Sequence, residues 1–325
     1  MSPDIITEQD RELRVDRTVE RRLVHRSAIA EVFLTDSRTT GAGRYTTAAQ
    51  LPLFHAHFSD FTASASAFDP LLLLECCRQA GTHGAHAHLG VPLDTVFLVR
   101  EADIAISDTA SLLVGADPGV LHLDTSVAQQ RTRAGKLRGL EFDFDLSIDG
   151  RHTGAGRFAV DCVDAETYRG LRHAQRGQHP PTSKQMPLAR PDTVAEPHLV
   201  ARRNPDNVVI ADAGRREGRY TARLAPSFGN RSLYDHAYDH HPGMVLAEAA
   251  RQISLLTKED PTAHLITGLS ARFARFAELD APVALTATPS TTDIPQRIAV
   301  VAEQDDARIA GIDVELRRAP KEVSR

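Results

Sequence analysis

The sequence predicts an α+β protein made of two copies of one unit, each an antiparallel sheet wrapped around a long central helix. Residues 69–90 and 241–256 are each typical of a helix that is apolar on nearly every side, and such a helix is buried rather than lying on a surface. Both helices carry the same E-x-x-R-Q pattern. Short strand-like segments precede and follow each helix, and strands with one covered face around a central helix satisfy this order.

Local signals predict where each helix begins. Asp69 suits the N-cap, and Pro70 suits the first helical position, where its missing N–H costs nothing. Four consecutive leucines follow and cover the whole circumference of the helix. In the second copy Pro242 opens the helix. The repeated polar residues are Glu75, Arg78 and Gln79 in the first helix and Glu248, Arg251 and Gln252 in the second.

The segments ahead of the two helices also match. Val200–Asp212 repeats Val24–Asp36 in its valine, its closing aliphatic strand and its final aspartate. An arginine stands two places after the valine in both copies, as Arg26 and Arg202. The chain therefore starts the same pattern twice.

The length of 325 residues suits two domains of roughly 150 residues each. We expect residues 1–20 to be a mobile, charged lead-in, followed by a first domain over residues 21–163 and a second over 198–319. Residues 164–197 hold five prolines and show little apolar periodicity, so we predict an inter-domain linker there.

Composition excludes several classes of protein. A net charge of −5 provides no electrostatic reason to bind nucleic acid. The N-terminus is charged and lacks an apolar core, and no segment reaches the ~18 apolar residues that span a membrane, so we expect a cytoplasmic protein without membrane association. Three cysteines (Cys76, Cys77 and Cys162) cannot build a disulfide framework, and no zinc spacing occurs, so we expect neither metal nor cofactor.

Particular motifs resemble known families. The start of the second helix, Pro242-Gly243 with Glu248-Ala249 and Gln252, resembles that of the β-hydroxyacyl-ACP dehydratases, which have the hotdog fold. The whole chain resembles the AfsA-type γ-butyrolactone biosynthesis family, the A-factor synthases of actinomycetes. The matching stretches are Leu23–Asp36, Asp69–Gln79, Gly90–Leu98 and Asp239–Gln252.

This resemblance implies a double hotdog and an acyltransferase. The family's reaction transfers a β-ketoacyl group from acyl carrier protein to the hydroxyl of dihydroxyacetone phosphate, on the way to a butyrolactone signal. Two alternatives stay open: another hotdog enzyme on carrier-bound chains, such as a dehydratase or thioesterase, and a non-catalytic acyl-binding regulator. The tandem is compatible with a monomer that forms an internal pseudo-dimer and with a homodimer.

Glu248 and Glu75 are the candidates for a general base. Burial raises the pKa of a carboxyl and a nearby arginine lowers it, so one of two twin sites can be poised for proton transfer. The alternative is a structural carboxylate that pairs with the arginine one turn further on. We prefer Glu248, because the stricter dehydratase-like motif lies in the second half.

The paired arginines suggest where an anion binds. Arg78 and Arg251, with Gln79 and Gln252 beside them, are candidates for substrate binding, since a guanidinium matches a phosphate bidentately. Pairing of each arginine with its own glutamate is the alternative.

Three further positions are candidates for catalysis. The N–H of Gly243, at a helix start, could hold the oxyanion formed when a thioester is attacked, although a packing glycine is the alternative. The dehydratase resemblance implies that His57 or His236 works opposite the helix carboxylate of the other half; both could also be ordinary loop residues. His83, His86 and His88 are interpreted as cations near a helix C-terminus rather than as a metal cluster.

Overall fold

The structure, a computed structural model, describes residues 12–61, 66–290 and 296–319. These residues form one twelve-stranded antiparallel sheet and three α-helices. The helices are α1 (Pro70–Ala87), α2 (Ala165–Arg176) and α3 (Gly243–Leu255). The strands are β1 (Leu34–Gly41), β2 (Arg44–Leu51), β3 (Val96–Ile106), β4 (Gly119–Arg133), β5 (Lys136–Ile148), β6 (Arg151–Val163), β7 (Ile210–Arg216), β8 (Arg219–Leu224), β9 (His264–Phe273), β10 (Ala284–Pro289), β11 (Gln296–Gln304) and β12 (Ala307–Arg318).

The sheet consists of two six-stranded halves with the same internal order. The first runs β1-β2-β4-β5-β6-β3, and the second, read inward from its own outer edge, runs β7-β8-β10-β11-β12-β9. β3 and β9 join them as antiparallel neighbours, with Asp103 opposite Ser270. Each half covers its own helix, α1 or α3. The predicted antiparallel sheet around a long central helix, present twice, is therefore confirmed.

Helix α1 is buried along nearly its whole length. Asp69 caps it by accepting a hydrogen bond from the N–H of Leu71 at 2.9 Å. The four leucines at positions 71–74 are at most 1% exposed, and burial of each contributes roughly 2 kcal/mol. Glu75 follows them and is fully buried. A buried carboxylate is tolerated only when it is paired, so its partners define the site described below.

Helix α2 corrects our view of the predicted linker. It occupies residues 165–176, and Asp164 caps it by accepting from the N–H of Thr167 at 2.7 Å. Its inner face presents Arg172, which is 3% exposed and donates to both carboxylate oxygens of Glu278 in the second half. We missed the helix because we looked for apolar periodicity, whereas a buried ion pair anchors this face.

Part of the predicted lead-in is described, and residues 1–11 lie outside the described residues. The N–H of Arg14 donates to the Asp36 carboxylate, and the N–H of Val19 donates to the carbonyl of Leu34. These residues therefore run beside strand β1. The domain boundaries stay predictions. None of the helices in the described ranges is both long and apolar enough to cross a membrane.

His83, near the end of α1, is not the helix-end cation that we predicted. His83 and His86 are at most 8% exposed. Burial, aided by repulsion from His88, lowers the pKa of His83 to about 4. Nδ1 of His86 lies 2.8 Å from the carbonyl oxygen of Val91. These side chains are core residues, and His83 is neutral at physiological pH.

The buried neutral His83 should make the fold sensitive to acid. Its folded pKa is depressed, so its contribution to stability is complete above the unfolded pKa of ~6.5 and is lost as the pH falls toward about 4. Between pH 7 and pH 5 this loss is about 2 kcal/mol. Urea unfolding gives the free energy of unfolding at pH 7 and at pH 5. The difference between these two values should be about 2 kcal/mol smaller in His83→Asn than in the unmodified protein. An unchanged difference would contradict the assignment of His83 as neutral.

Candidate functional site

A cavity of about 1250 Å³ lies where the two halves meet. One end is polar and includes Arg26, Glu75, Arg78 and His236. Apolar side chains from β3, β6, β9 and the start of α3 make up most of the remaining wall, which further charged residues such as Arg100, Asp161 and Arg275 also border. The main apolar lining residues are Phe97, Val99, Ala102, Phe158, Val160, Met244, Leu246, Leu269 and Phe273. A cavity of this size and polarity suits a ligand with a long apolar part and an anionic end.

The polar end is built around Glu75. Arg26 donates from Nη2 to its Oε1 at 2.6 Å, and Arg78 donates from Nη2 to Oε1 and from Nε to Oε2, both at 2.8 Å. Gln79 donates to Oε1 at 2.7 Å. We call these four residues the first cluster. Both carboxylate oxygens accept several hydrogen bonds, so Glu75 serves as the anchor of the two guanidinium groups.

The first cluster carries one unneutralised positive charge. Burial alone would raise the pKa of Glu75, but the charges of Arg26 and Arg78 outweigh it and hold the pKa at about 2. The carboxylate is therefore ionised, and two guanidiniums share it. Within the described residues nothing accepts a hydrogen bond from Nη1 of Arg78, whose side chain is 20% exposed and lines the cavity. This end of the cavity is suited to an anion.

A second cluster repeats the wiring in the other half. Nε of Arg202 donates to Oε1 of Glu248 at 3.2 Å, and Nη2 of Arg202 lies 2.9 Å from Oε2 of the same carboxylate. Arg251 and Gln252 also make short contacts to this carboxylate. The two glutamines act alike. Gln79 bridges the N–H of Phe33 and the carbonyl of Glu31, and Gln252 bridges Val209 and Asn207 in the same way.

These contacts correct the predicted substrate-binding role of the glutamines. Gln79 and Gln252 are fully buried and neither lines the cavity. Each glutamine links the glutamate of its own helix to the backbone just before the first strand of the same half. Their amide groups are used in these bonds, so they hold the site together and do not face a ligand.

The second cluster is closed, although the sequence motif favoured it. Neither Glu248 nor Arg251 lines the cavity, and both are at most 1% exposed. Asp69, from the first half, accepts from Nη1 of Arg251 at 2.7 Å. The ring of Phe61 covers the same guanidinium at 5.0 Å. The geometry therefore points to the first cluster as the working one.

Charge explains the different titration of the two glutamates. Burial raises the pKa of Glu248 to about 7, with Arg202 opposing and the carboxylate of Asp69 reinforcing the shift. Burial likewise raises the pKa of Asp69 to about 6 against the charge of Arg202. Glu248 and Asp69 both contact guanidiniums in the second cluster, whereas in the first Glu75 is the carboxylate that Arg26 and Arg78 contact, and Asp235 and Glu31 act on Arg26 through their charge.

The loops ahead of α1 and α3 can be aligned by equivalent contacts. Asp60 accepts from the N–H of Asn204 at 3.1 Å, two residues after Arg202. Asp235 accepts from the N–H of Ala28 at 2.9 Å, two residues after Arg26. Asp60 and Asp235 are thus equivalent, and so are the residues that follow them, Phe61 and His236. The position directly before the helix proline is Asp69 in one half and His241 in the other.

His236 lies where a base could act on a ligand of the first cluster. It lines the cavity, and its Nδ1 lies 3.4 Å from Asp235 Oδ2. Its ring stacks on Tyr238 at 3.9 Å, and the hydroxyl of Tyr238 lies 3.5 Å from Nη1 of Arg26. A histidine that lies next to a carboxylate at the wall of a cavity is a common arrangement for proton transfer.

His57 also borders the cavity, but it differs from His236 in its burial and its partners. It is 3% exposed, and burial together with the charge of Arg202 lowers its pKa well below the usual value. Its Nδ1 lies 3.1 Å from Asn207 Oδ1, and its Nε2 lies 3.9 Å from Glu248. His57 therefore packs on the closed second cluster as a neutral side chain.

The start of α3 is open to the cavity. Pro242 is its N-cap and offers no side-chain hydrogen bond. In the part of the chain that the structure describes, the N–H groups of Gly243 and Met244 have no acceptor, and both residues line the cavity. A Cβ at Gly243 would meet the Phe273 ring at 3.1 Å, which accounts for the glycine. These free donors are suited to a developing negative charge.

Sequence reasoning missed part of this site. It noted Arg26 and Arg202 only as repeated positions, although that repetition was the signal that both contact the helix carboxylates. Asp235 and Tyr238 gave no signal of their own, because their roles depend on contacts between the halves. Over the described ranges, no group of three or more His, Cys, Asp or Glu side chains could hold a metal ion.

Two half-sheets that each wrap a central helix within one chain, with a cavity where they meet, define a double-hotdog protein. The chain belongs to the family described as the A-factor biosynthesis hotdog domain, whose pattern matches residues 7–164 and 183–319. Among its relatives is the 2-oxo-3-(phosphooxy)propyl 3-oxoalkanoate synthase of Streptomyces virginiae, 34% identical over 90% of this chain and 95% of the relative. The synthase of that name from Streptomyces coelicolor is 29% identical over 82% of this chain and 80% of its own length.

Solved structures agree on the fold. The dehydratase domain of the CurK module of curacin polyketide synthase has a TM-score of 0.51 at 12% identity, covering 87% of this chain and 96% of that one. A putative oleoyl thioesterase from Lactobacillus plantarum also has a TM-score of 0.51 at 12% identity, covering 86% of this chain and 98% of the other. The predicted family and the double-hotdog fold are thereby confirmed.

Proposed function

We propose that this protein is an acyltransferase that moves a β-ketoacyl group from acyl carrier protein to the hydroxyl of dihydroxyacetone phosphate. The observation that carries the proposal is the cavity, which has an unneutralised arginine at one end and an apolar wall along the rest. The relatives are named as synthases of a 2-oxo-3-(phosphooxy)propyl 3-oxoalkanoate. Joining a 3-oxoacyl group to dihydroxyacetone phosphate makes an ester of that description.

The acceptor phosphate binds at the first cluster. Arg78 presents Nη1 to the cavity, while its Nε and Nη2 are fixed on Glu75. Arg26 donates to Oε1 of the same carboxylate, the oxygen that also accepts from Nη2 of Arg78. A guanidinium that is already oriented loses little further freedom when it binds phosphate. Glu75 is thus a positioning residue.

Neither helix glutamate is suited to act as the base. Glu75 accepts hydrogen bonds at both oxygens and has a pKa of about 2, so it binds a proton poorly at neutral pH. Glu248 is enclosed in the second cluster and does not line the cavity. We assign the base to His236, with Asp235 holding its ring.

The transfer then proceeds in a balanced sequence. His236 takes the proton of the acceptor hydroxyl as its oxygen attacks the thioester carbon. The free N–H groups at Gly243 and Met244 stabilise the oxyanion that forms. The C–S bond breaks, and the carrier thiolate leaves with the proton that His236 held. The products are the phosphorylated β-keto ester and the free carrier thiol.

The acyl chain lies along the apolar wall, and the carrier approaches from outside. Leu93 and Leu171 both line the cavity and are 47% and 41% exposed, so they mark its mouth. The first half supplies Arg78, and the second supplies His236 and Gly243. One chain therefore contains every group of the proposed site, which supports an internal pseudo-dimer as the catalytic unit.

Replacing His236 with glutamine should lower kcat about 100-fold or more while leaving the KM for dihydroxyacetone phosphate within a few-fold, because a positioned base contributes roughly 10²–10⁴ to the rate. Asp235→Asn, which disturbs only the orientation of the ring, should have a smaller effect. A near-normal rate in His236→Gln would exclude this residue as the base.

The proposed reaction is tested with purified protein, a β-ketoacyl-ACP and dihydroxyacetone phosphate. Mass spectrometry should detect the phosphorylated ester and free carrier in equal amounts. Release of free acid or an enoyl product without any need for the acceptor would identify a thioesterase or dehydratase instead. Tight acyl binding with no turnover would identify a regulator.

A further inference from the structure

We infer that the residue directly before the helix proline decides which of the two clusters accepts an anion. That residue is Asp69 in the first half and His241 in the second. The inference rests on the proposed function only in naming phosphate as the anion. It explains why two clusters with nearly identical wiring differ in their access to a ligand.

Asp69 acts as a built-in anion for the second cluster. Its Oδ2 accepts from Nη1 of Arg251 at 2.7 Å, and its Oδ1 accepts from the N–H of Leu71 at the start of α1. It is 1% exposed. Asp69 thus serves both Arg251 of the second half and the start of α1 in the first half. The positive charge of Arg251 is used inside the protein and is not offered to a ligand.

The first cluster has the same two donors without that carboxylate. Arg78 is the counterpart of Arg251, and the free N–H groups at the start of α3 are the counterpart of the Leu71 N–H. His241 stands at the position that corresponds to Asp69. Its Nδ1 lies 2.6 Å from the hydroxyl oxygen of Tyr234. Burial lowers the pKa of His241 to about 3, so it is neutral. The cavity therefore keeps a cation and free donors that an external anion can use.

The inference predicts that one substitution closes the first cluster. In His241→Asp a carboxylate would stand before Pro242, where it can cap α3 and pair with Arg78 as Asp69 does with Arg251. His241→Asn is the matched control, since it has the same size and shape without the charge. Binding of inorganic phosphate at pH 7.5 is measured by calorimetry for the unmodified protein and both variants, after circular dichroism confirms that they are folded.

The unmodified protein and His241→Asn should bind phosphate with affinities within about threefold of each other, whereas His241→Asp should bind at least tenfold more weakly. If His241→Asp does not fold, the exchange variant Asp69→His with His241→Asp keeps the number of carboxylates constant, and any phosphate that it binds should no longer depend on Arg78, so that adding Arg78→Gln changes its affinity less than threefold. Phosphate binding that survives in a folded His241→Asp, or that still depends on Arg78 in the exchange variant, would overturn the inference, as would no binding to the unmodified protein. The ester assay decides the proposed function separately, because it uses the unmodified protein alone.

Discussion

Replacing Arg78 with glutamine should raise the KM for dihydroxyacetone phosphate about 100-fold, since charge-assisted hydrogen bonds to a phosphate are worth roughly 3 kcal/mol together. Stability should change far less, because Arg26 still pairs with Glu75 at 2.6 Å and leaves the buried carboxylate neutralised. Steady-state kinetics with the acceptor varied, together with urea unfolding, measure both quantities.

Two controls make this result specific. Arg78→Lys keeps the charge but loses the planar fork, so its KM should rise only about tenfold. Dihydroxyacetone, which lacks the phosphate, should react with the unmodified protein and with Arg78→Gln at similar low rates. A KM within threefold of normal in Arg78→Gln would place the phosphate elsewhere in the cavity.

The fold was predictable because its signals are local and repeated. The prolines at positions 70 and 242, the apolar helices and the shared E-x-x-R-Q each follow from a short stretch of chain. The wiring of Glu75 to Arg78 and of Glu248 to Arg251 is also local, since three residues span about one helical turn. Duplication let one half support the interpretation of the other.

Which cluster is open could not be predicted in this way. Glu248 had the stricter motif, but Asp69 and Phe61 close its cluster from the other half. These contacts join residues far apart in sequence, and the packing of the two halves, which includes the pairing of β3 with β9, brings them together. His236 is the structural equivalent of Phe61 in the other half. This equivalence is apparent only from the matching contacts of Asp235 and Asp60.

The two clusters show how a duplicated unit can divide its roles. Both place a glutamate and arginines in the protein interior, at a cost in desolvation that needs compensation. In the second cluster Asp69 supplies that compensation within the protein. In the first cluster, in our proposal, the ligand supplies it, so binding energy from the phosphate relieves an unneutralised charge. The same residues can therefore support stability in one half and binding in the other.

This division is tested by replacing Glu248 with glutamine, which should destabilise the fold by about 3 kcal/mol, because Arg202 and Arg251 would share only Asp69 in a closed interior. The rate per folded molecule should stay within a few-fold of normal. Glu75→Gln should cost less stability, since Arg78 borders the cavity and can be solvated there, yet it should raise the KM for the acceptor. Urea unfolding, with kinetics on the folded fraction, separates the two effects. A hundredfold loss of kcat in folded Glu248→Gln would instead return that glutamate to the role of base.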